Sequence, residues 1–278
     1  MKKIGFVDYY ISEWHSNNYP EWMAECELSR DYKIAYAWAE LDKSPEDGVT
    51  TAEWCEKNGA EKCDTIEELC EKSDVIVILA PSNPETHLGY AEKVLKYGKR
   101  TYIDKTFAPD LETAKKIFAI AEKYGTPFFS SSALRYASEL DDCGKCKSVM
   151  TMGGGDSVEE YIIHQAEMVA KKMGTGAEKM CVTEKCGALS FNIIYNDDRE
   201  AVMMMGRGIP FAAYMIAEGT SPKYRAAKSK YFEIFAADVL RFFEDGTTSF
   251  DPSETLEVMK LRDGALRAVE NKGEWISL

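Results

Sequence analysis

Short apolar runs alternate with amphipathic helical stretches over the first 130 or so residues, and no other feature limits the fold as strongly. KKIGFV, YKIAYAWA, SDVIVILAP, RTYID and TPFFSS have strand composition. Between them lie helical patterns with readable ends. NNYPEWMAECELS has helical spacing with Pro20 placed near the helix start, TAEWCEKNGA stops at Gly59, and Thr65 with Glu68 forms a capping box. The helices from about Pro84 and from about Asp110 close at Gly98 and Gly125. Near-continuous apolar strands joined by helices imply an open parallel sheet buried on both faces. Ligands then bind beyond the carboxyl ends of the strands, so residues near 8–15, 80–87 and 104–107 are expected to line one cleft.

The pattern changes near residue 145. CKSVMTM, EKMCVTE, ALSFNIIYN and AVMMMG read as strands without helices between most of them, and the first helix of this part spans about Asp156 to Lys172. The fold class is therefore α/β, a parallel-sheet domain over 1–133 followed by a smaller α+β domain over 134–278 with a mainly antiparallel open sheet. The closing helix is a candidate to pack back on the first domain.

A formal charge of −13 repels phosphate backbones and anionic lipid, so nucleic acid and membrane surfaces are poor partners and a small molecule is a better one. No apolar run reaches membrane-span length, and the amino terminus reads directly into a strand, so a cytoplasmic protein is expected. Eight cysteines without a secretion signal are expected to be reduced thiols. Cys143 and Cys146 form a C-x-x-C pair that lacks the second pair or histidines of a tetrahedral site, so no metal is expected.

Three segments together resemble the Gfo/Idh/MocA oxidoreductases. LAPSNPETH is similar to that family's strand-end proline, asparagine and histidine; YIDKTFAPDLETAKKIFAIAEKYGTPFF is similar to its Glu-Lys-Pro segment, with Asp104-Lys105-Thr106 at the tripeptide; VEEYIIHQAE is similar to its Asp-x-x-x-His-x-x-Asp helix, here Glu160, His164 and Glu167. The carboxyl-terminal stretch from Ser249 resembles the family's closing helix. The resemblance implies a Rossmann-type first domain, a nicotinamide cofactor, a sugar, polyol or related hydroxy compound as substrate, and a homodimer or higher homo-oligomer. It also implies Lys105 and His164 at the transferred hydride, Glu160 orienting the histidine, and Pro81, Asn83, His87 and Asp104 on the cofactor side. Arg135, Tyr136 and Glu167 are implied substrate contacts, with the domain interface as the other reading for Arg135 and Tyr136.

The first turn departs from that pattern. Where the family resembles G-x-G-x-x-G or G-x-G-x-x-A, this chain has Asp8, Tyr10 and Glu13. Glycines there permit a tight turn and close approach of backbone amides to a pyrophosphate, and carboxylates add repulsion. Two readings stay open: a pocket rebuilt around Ser12, His15, Ser16 and Asn17, with a helix start near Asn17 that favours an anion, or a turn filled by Tyr9, Tyr10 and Trp14. Glu40 and Asp42 follow the second strand and would accept from a ribose hydroxyl while disfavouring a 2′-phosphate, so NAD is favoured over NADP; a solvated acidic turn is the alternative.

Glu160 and His164 lie four apart on one helical face, with Glu167 on the same face. A histidine near neutrality suits removal of a hydroxyl proton, and Lys105 would stabilise the developing charge. His87 is equally a helix cap. Three functions remain open: an NAD-type oxidoreductase, a non-redox enzyme using the same acid–base groups, and a catalytically silent binding protein.

Overall fold

The computed structural model describes residues 1–278, which divide into two compact units: Met1–Ser131 with Phe232–Ser249, and Ser132–Tyr231 with Phe250–Leu278. The segment that returns to the first unit is thus the one just before the closing helix.

In the first unit, strands β1 (Lys2–Asp8), β2 (Tyr32–Ala39), β3 (Glu61–Lys62), β4 (Val75–Ile78), β5 (Thr101–Ile103) and β6 (Phe128–Phe129) form one sheet in the order β3-β2-β1-β4-β5-β6. Every pair is parallel. The order reverses between β1 and β4, which places the switch point, and the crevice such sheets use for ligands, beyond Asp8 and Ile78. Helices α1 (Trp14–Ala24), α2 (Thr51–Asn58), α3 (Ile66–Lys72), α4 (His87–Val94) and α5 (Leu111–Tyr124) connect the strands. Gly59 and Gly125 end α2 and α5 in the left-handed region, which only a residue without a Cβ enters at low cost.

Helix α1 begins earlier than the sequence pattern indicates. It starts at Trp14, so Pro20 lies in its interior, and Asn17 is not its first turn's entrance. The reason is Glu13, whose side chain caps the helix from a position just outside it.

Later in the chain, α7 (Tyr231–Asp245) completes the first unit. It buries Phe235, Val239, Leu240, Phe242 and Phe243. Phe232 stacks on Trp22 with ring centroids 4.5 Å apart, Phe235 meets Tyr102, and Phe242 meets Phe129. Each fully buried aromatic or aliphatic side chain contributes about 1.5–3 kcal/mol, so this helix is a substantial part of the unit's core.

The second unit is a seven-stranded sheet in the order β12-β11-β7-β10-β9-β8-β13, built from β7 (Ser148–Gly153), β8 (Ala177–Lys185), β9 (Ala188–Tyr195), β10 (Glu200–Gly206), β11 (Ala212–Ile216), β12 (Lys223–Ala226) and β13 (Ile276–Ser277). Only the β7–β10 pair is parallel. Strand β7 precedes helix α6 (Val158–Met173), and α6 packs with α8 (Ser253–Glu270) on one face of the sheet. Strand alternation sends Val149, Phe191, Ile193, Met203 and Met205 inward, while Met150, Met204, Tyr214 and Tyr224 stay exposed on the other face.

Candidate functional site

At the carboxyl end of the first unit's sheet, β1 ends in Asp8, which is 1% exposed. Its Oδ1 accepts from the backbone amides of Tyr9 (2.7 Å) and Ala80 (3.0 Å), which ties the end of β1 to the segment after β4. Its Oδ2 is buried with no hydrogen-bond partner. Burial, and then the negative charge of Glu13, push the Asp8 carboxyl well above the usual carboxylate range. Asp104, at the end of β5, is equally buried; its Oδ1 accepts from Tyr102 Oη at 3.0 Å and its Oδ2 has no partner. The Asp104 charge also raises Asp8, so the two carboxyls lie within electrostatic reach of each other.

Glu13 occupies the start of α1. One carboxylate oxygen accepts from the His15 amide at 2.7 Å and the other from the Ser16 amide, while Ser16 Oγ is acceptor for the Glu13 amide, closing a capping box. The His15 ring nitrogen Nδ1 lies 3.2 Å from the same carboxylate. The residues between are also anchored: Tyr10 Oη donates to Glu46 at 2.7 Å and Ser12 Oγ to Asp47 at 2.8 Å. Asn17 accepts from Trp54 Nε1 at 2.8 Å.

This turn does not fit a dinucleotide pyrophosphate. The amides that a phosphate would take at a helix N-terminus are bound to Glu13, and the carboxyl of Asp8 stands where the first glycine would leave room. Glu13 and Asp8 occupy the turn that was expected to be filled by Tyr9, Tyr10 and Trp14. Asn17 offers no anion site, because the helix starts upstream of it. Glu40 and Asp42 are exposed but engaged, Glu40 accepting from Tyr90 Oη at 2.7 Å and Asp42 paired with Lys62 at 2.6 Å.

His87 is fully buried. Its Nε2 lies 2.5 Å from Leu79 O and its Nδ1 3.0 Å from Phe107 O, so the ring pins the segment after β4 to the segment after β5 and does not cap α4. Burial lowers its pKa, opposed by the Phe107 carbonyl and Asp104. Pro81 and Asn83 are half-buried, and Asn83 Nδ2 donates to Glu85 at 3.0 Å. Lys105 is half-buried and makes no side-chain hydrogen bond; the peptide joining it to Thr106 is cis.

In the second unit, α6 carries His164 half-buried between the rings of Tyr161 and Phe211. Ser132 Oγ lies 2.7 Å from His164 Nδ1. Glu160 is exposed and makes no side-chain hydrogen bond, so the contact expected from its four-residue spacing is not formed. At Nδ1 the ring meets Ser132, which is 32 residues away in sequence and carries no local signal.

Arg135 and Glu167 are also placed differently from a pair of substrate contacts. Arg135 Nε donates to Glu167 at 2.6 Å and a terminal nitrogen donates to Glu254 at 2.7 Å, with all three side chains buried. Glu167 further accepts from the Ser132 amide at 3.1 Å, and Lys145 reaches the other oxygen of Glu254 at 2.8 Å. The guanidinium sits 4.0 Å from the centre of the Phe250 ring. This network joins the start of the unit to α6 and α8. Tyr136 beside it is half-buried.

Residues 24–131 match the family described as "Oxidoreductase family, NAD-binding Rossmann fold" (GFO_IDH_MocA). Over that stretch the first unit resembles the Gfo/Idh/MocA family. The matched stretch begins at the last residue of α1, so β1 and the filled turn lie outside it. An uncharacterized oxidoreductase, YhhX, of Escherichia coli (strain K12) is 32% identical over 66 residues, which is 23% of this chain and 19% of that protein's length. Two solved structures share the fold over nearly the whole chain. Scyllo-inositol dehydrogenase from Lactobacillus casei, with bound NAD(H) and scyllo-inositol, has a TM-score of 0.76 at 13% identity, covering 100% of this chain and 99% of that one. UDP-N-acetylglucosamine 3-dehydrogenase GnnA from Acidithiobacillus ferrooxidans has a TM-score of 0.76 at 13% identity, covering 97% and 98%. No helix of the chain is long and apolar enough to cross a membrane.

Proposed function

We propose that this protein acts on a sugar, polyol or related hydroxy compound by acid–base chemistry, without a dinucleotide seated at its first turn. Lys105 and His164 are the groups this reading assigns to proton transfer at a substrate hydroxyl. The observation that carries it is the His164 imidazole, half-buried between two aromatic rings with its Nδ1 fixed by Ser132 Oγ. A ring held at one nitrogen keeps a defined direction at the other, as a general base requires. A neutral polyhydroxylated ligand also suits a protein that carries a large negative charge.

The second reading is the family's own, a nicotinamide-dependent dehydrogenase in which the same two residues assist hydride transfer, with NAD favoured over NADP. Retention of Lys105 and of His164 favours it, as does the family match. Both readings are tested by a panel of cyclic polyols, hexoses and sugar acids, with thermal shift and product analysis as readouts, run with and without NAD(H) and NADP(H). The acid–base reading expects conversion or stabilisation without nucleotide, and loss of it in His164→Ala and Lys105→Ala. Turnover that depends strictly on added nucleotide would transfer the assignment to the second reading. Stabilisation by a polyol that both variants retain would leave a binding protein.

We also propose that copies of the chain associate through the exposed face of the second unit's sheet. Tyr224, Tyr214, Met150 and Val202 are register partners in one row across four strands, and Met204 lies beside it. Large apolar side chains grouped in this way are typical of a contact surface.

A further inference from the structure

We infer that the Glu13 carboxylate is a tethered anion that fills the start of α1 in place of a dinucleotide pyrophosphate, and that it, together with Asp8, closes the first unit to nicotinamide dinucleotides. This holds whether or not Lys105 and His164 act on a hydroxy compound.

A helix leaves its first amides without intrahelical partners, and the positive end of its dipole favours an anion there. In α1 those at His15 and Ser16 are taken by the two oxygens of one carboxylate, and the Glu13 amide itself is satisfied by Ile11 O at 3.0 Å and by Ser16 Oγ. Glutamate is not a favoured capping residue, because its longer chain must be held in one arrangement. Here it is 4% exposed and braced by the His15 ring, so it is held. A free phosphate competing for the same amides loses to a group already attached, since the local concentration of a tethered carboxylate is far higher than that of a ligand in solution.

The surroundings act in the same direction. Asp8 and Asp104 each bury a carboxyl oxygen without a partner, so a pyrophosphate would enter beside three acidic side chains, and the one basic side chain bonded to them, His15, is already engaged by Glu13. The turn is also not free to open. Tyr10 and Ser12 are bonded to Glu46 and Asp47, and Ser44 Oγ donates to Ser12 O at 2.8 Å.

The test is titration of the full chain with NADH, followed by nicotinamide fluorescence and calorimetry, and with inorganic pyrophosphate, followed by thermal shift. The wild-type chain is expected to bind neither. Asp8→Gly with Tyr10→Gly and Glu13→Ala, which writes a G-x-G-x-x-A turn, is expected to gain NADH binding. Glu13→Ala alone, by freeing two amides, is expected to gain a thermal shift with pyrophosphate that the wild-type chain lacks. Glu13→Gln removes the charge and one of the two acceptor oxygens while keeping the size of the side chain, and with Asp8 and Tyr10 still in the turn it is expected to stay closed to NADH. Micromolar binding of NADH by the wild-type chain overturns the inference. So does a folded triple variant, judged by its circular dichroism, that gains no affinity for either probe.

Discussion

Arg135 offers a quantitative check on how the second unit is held together. The guanidinium is buried and lies 2.6 and 2.7 Å from the carboxylates of Glu167 and Glu254. At an effective dielectric constant near 20, each contact is worth about 4 kcal/mol of Coulomb attraction, most of which offsets the desolvation of the three ions. Burial lowers the Arg135 pKa, and the two carboxylates more than reverse that, so the side chain stays charged. Arg135→Leu removes the attraction while leaving two buried carboxylates facing each other. The expected loss is about 3–5 kcal/mol, or a fall in midpoint of roughly 10–20 °C for a unit of this size. Scanning calorimetry would measure it, with the second unit's transition followed separately from the first. Adding Glu167→Gln and Glu254→Gln to Arg135→Leu neutralises the orphaned carboxylates and is expected to recover much of the loss. A shift below about 3 °C for Arg135→Leu would refute the reasoning, because it would mean that the carboxylates find water or protons at little cost.

Three further outcomes are expected. Asp8 holds its proton more tightly in the folded chain than in the unfolded one, so the native state binds more protons and stability falls as pH rises above about 4; Asp8→Asn is expected to flatten that slope in urea melts, and parallel slopes would contradict it. Cys143 is half-buried, whereas burial and the neighbouring Cys143 push the Cys146 thiol up to about 11, so an alkylating reagent at neutral pH is expected to modify Cys143 first and Cys146 far more slowly, as read by mass spectrometry of the peptides. Met204→Glu, on the exposed sheet face, is expected to shift the protein toward monomer in sedimentation; an unchanged oligomer would place the contact elsewhere.

The parallel sheet is legible in the sequence because each of its signals is local: apolar strands, a capping box at Thr65, and glycines at 59, 98 and 125 that end helices. The amphipathic run FEIFAADVLRFF carries an equally local helical period, but its partners Trp22, Tyr102 and Phe129 lie more than a hundred residues earlier, and nothing in the run names them. The candidate site divides in the same way. That Asp8, Tyr10 and Glu13 replace glycines can be read directly, and so can the poor fit to a pyrophosphate. The role of Glu13 as a cap cannot, since capping preferences point to serine, threonine, aspartate or asparagine. The spacing of Glu160 and His164 predicts a contact, yet the ring turns to Ser132. Arg135 and Glu167 read as ligands for a substrate because a lone charged residue shows its chemistry but not its partner; the partner Glu254 is 119 residues from Arg135.

The return of Phe232–Ser249 to the first unit bears on how the chain comes into being. A ribosome releases β1 to β6 long before α7 exists, so Trp22, Tyr32, Tyr102 and Phe129 wait without the aromatic surface that covers them. Through that interval the nascent sheet exposes an apolar face of the kind that chaperones bind and that aggregates grow from. A gene cut after residue 131 fixes the chain in that condition permanently. The two units are thus separable by eye and not by scissors, and any division of labour between them must be probed in the intact polypeptide.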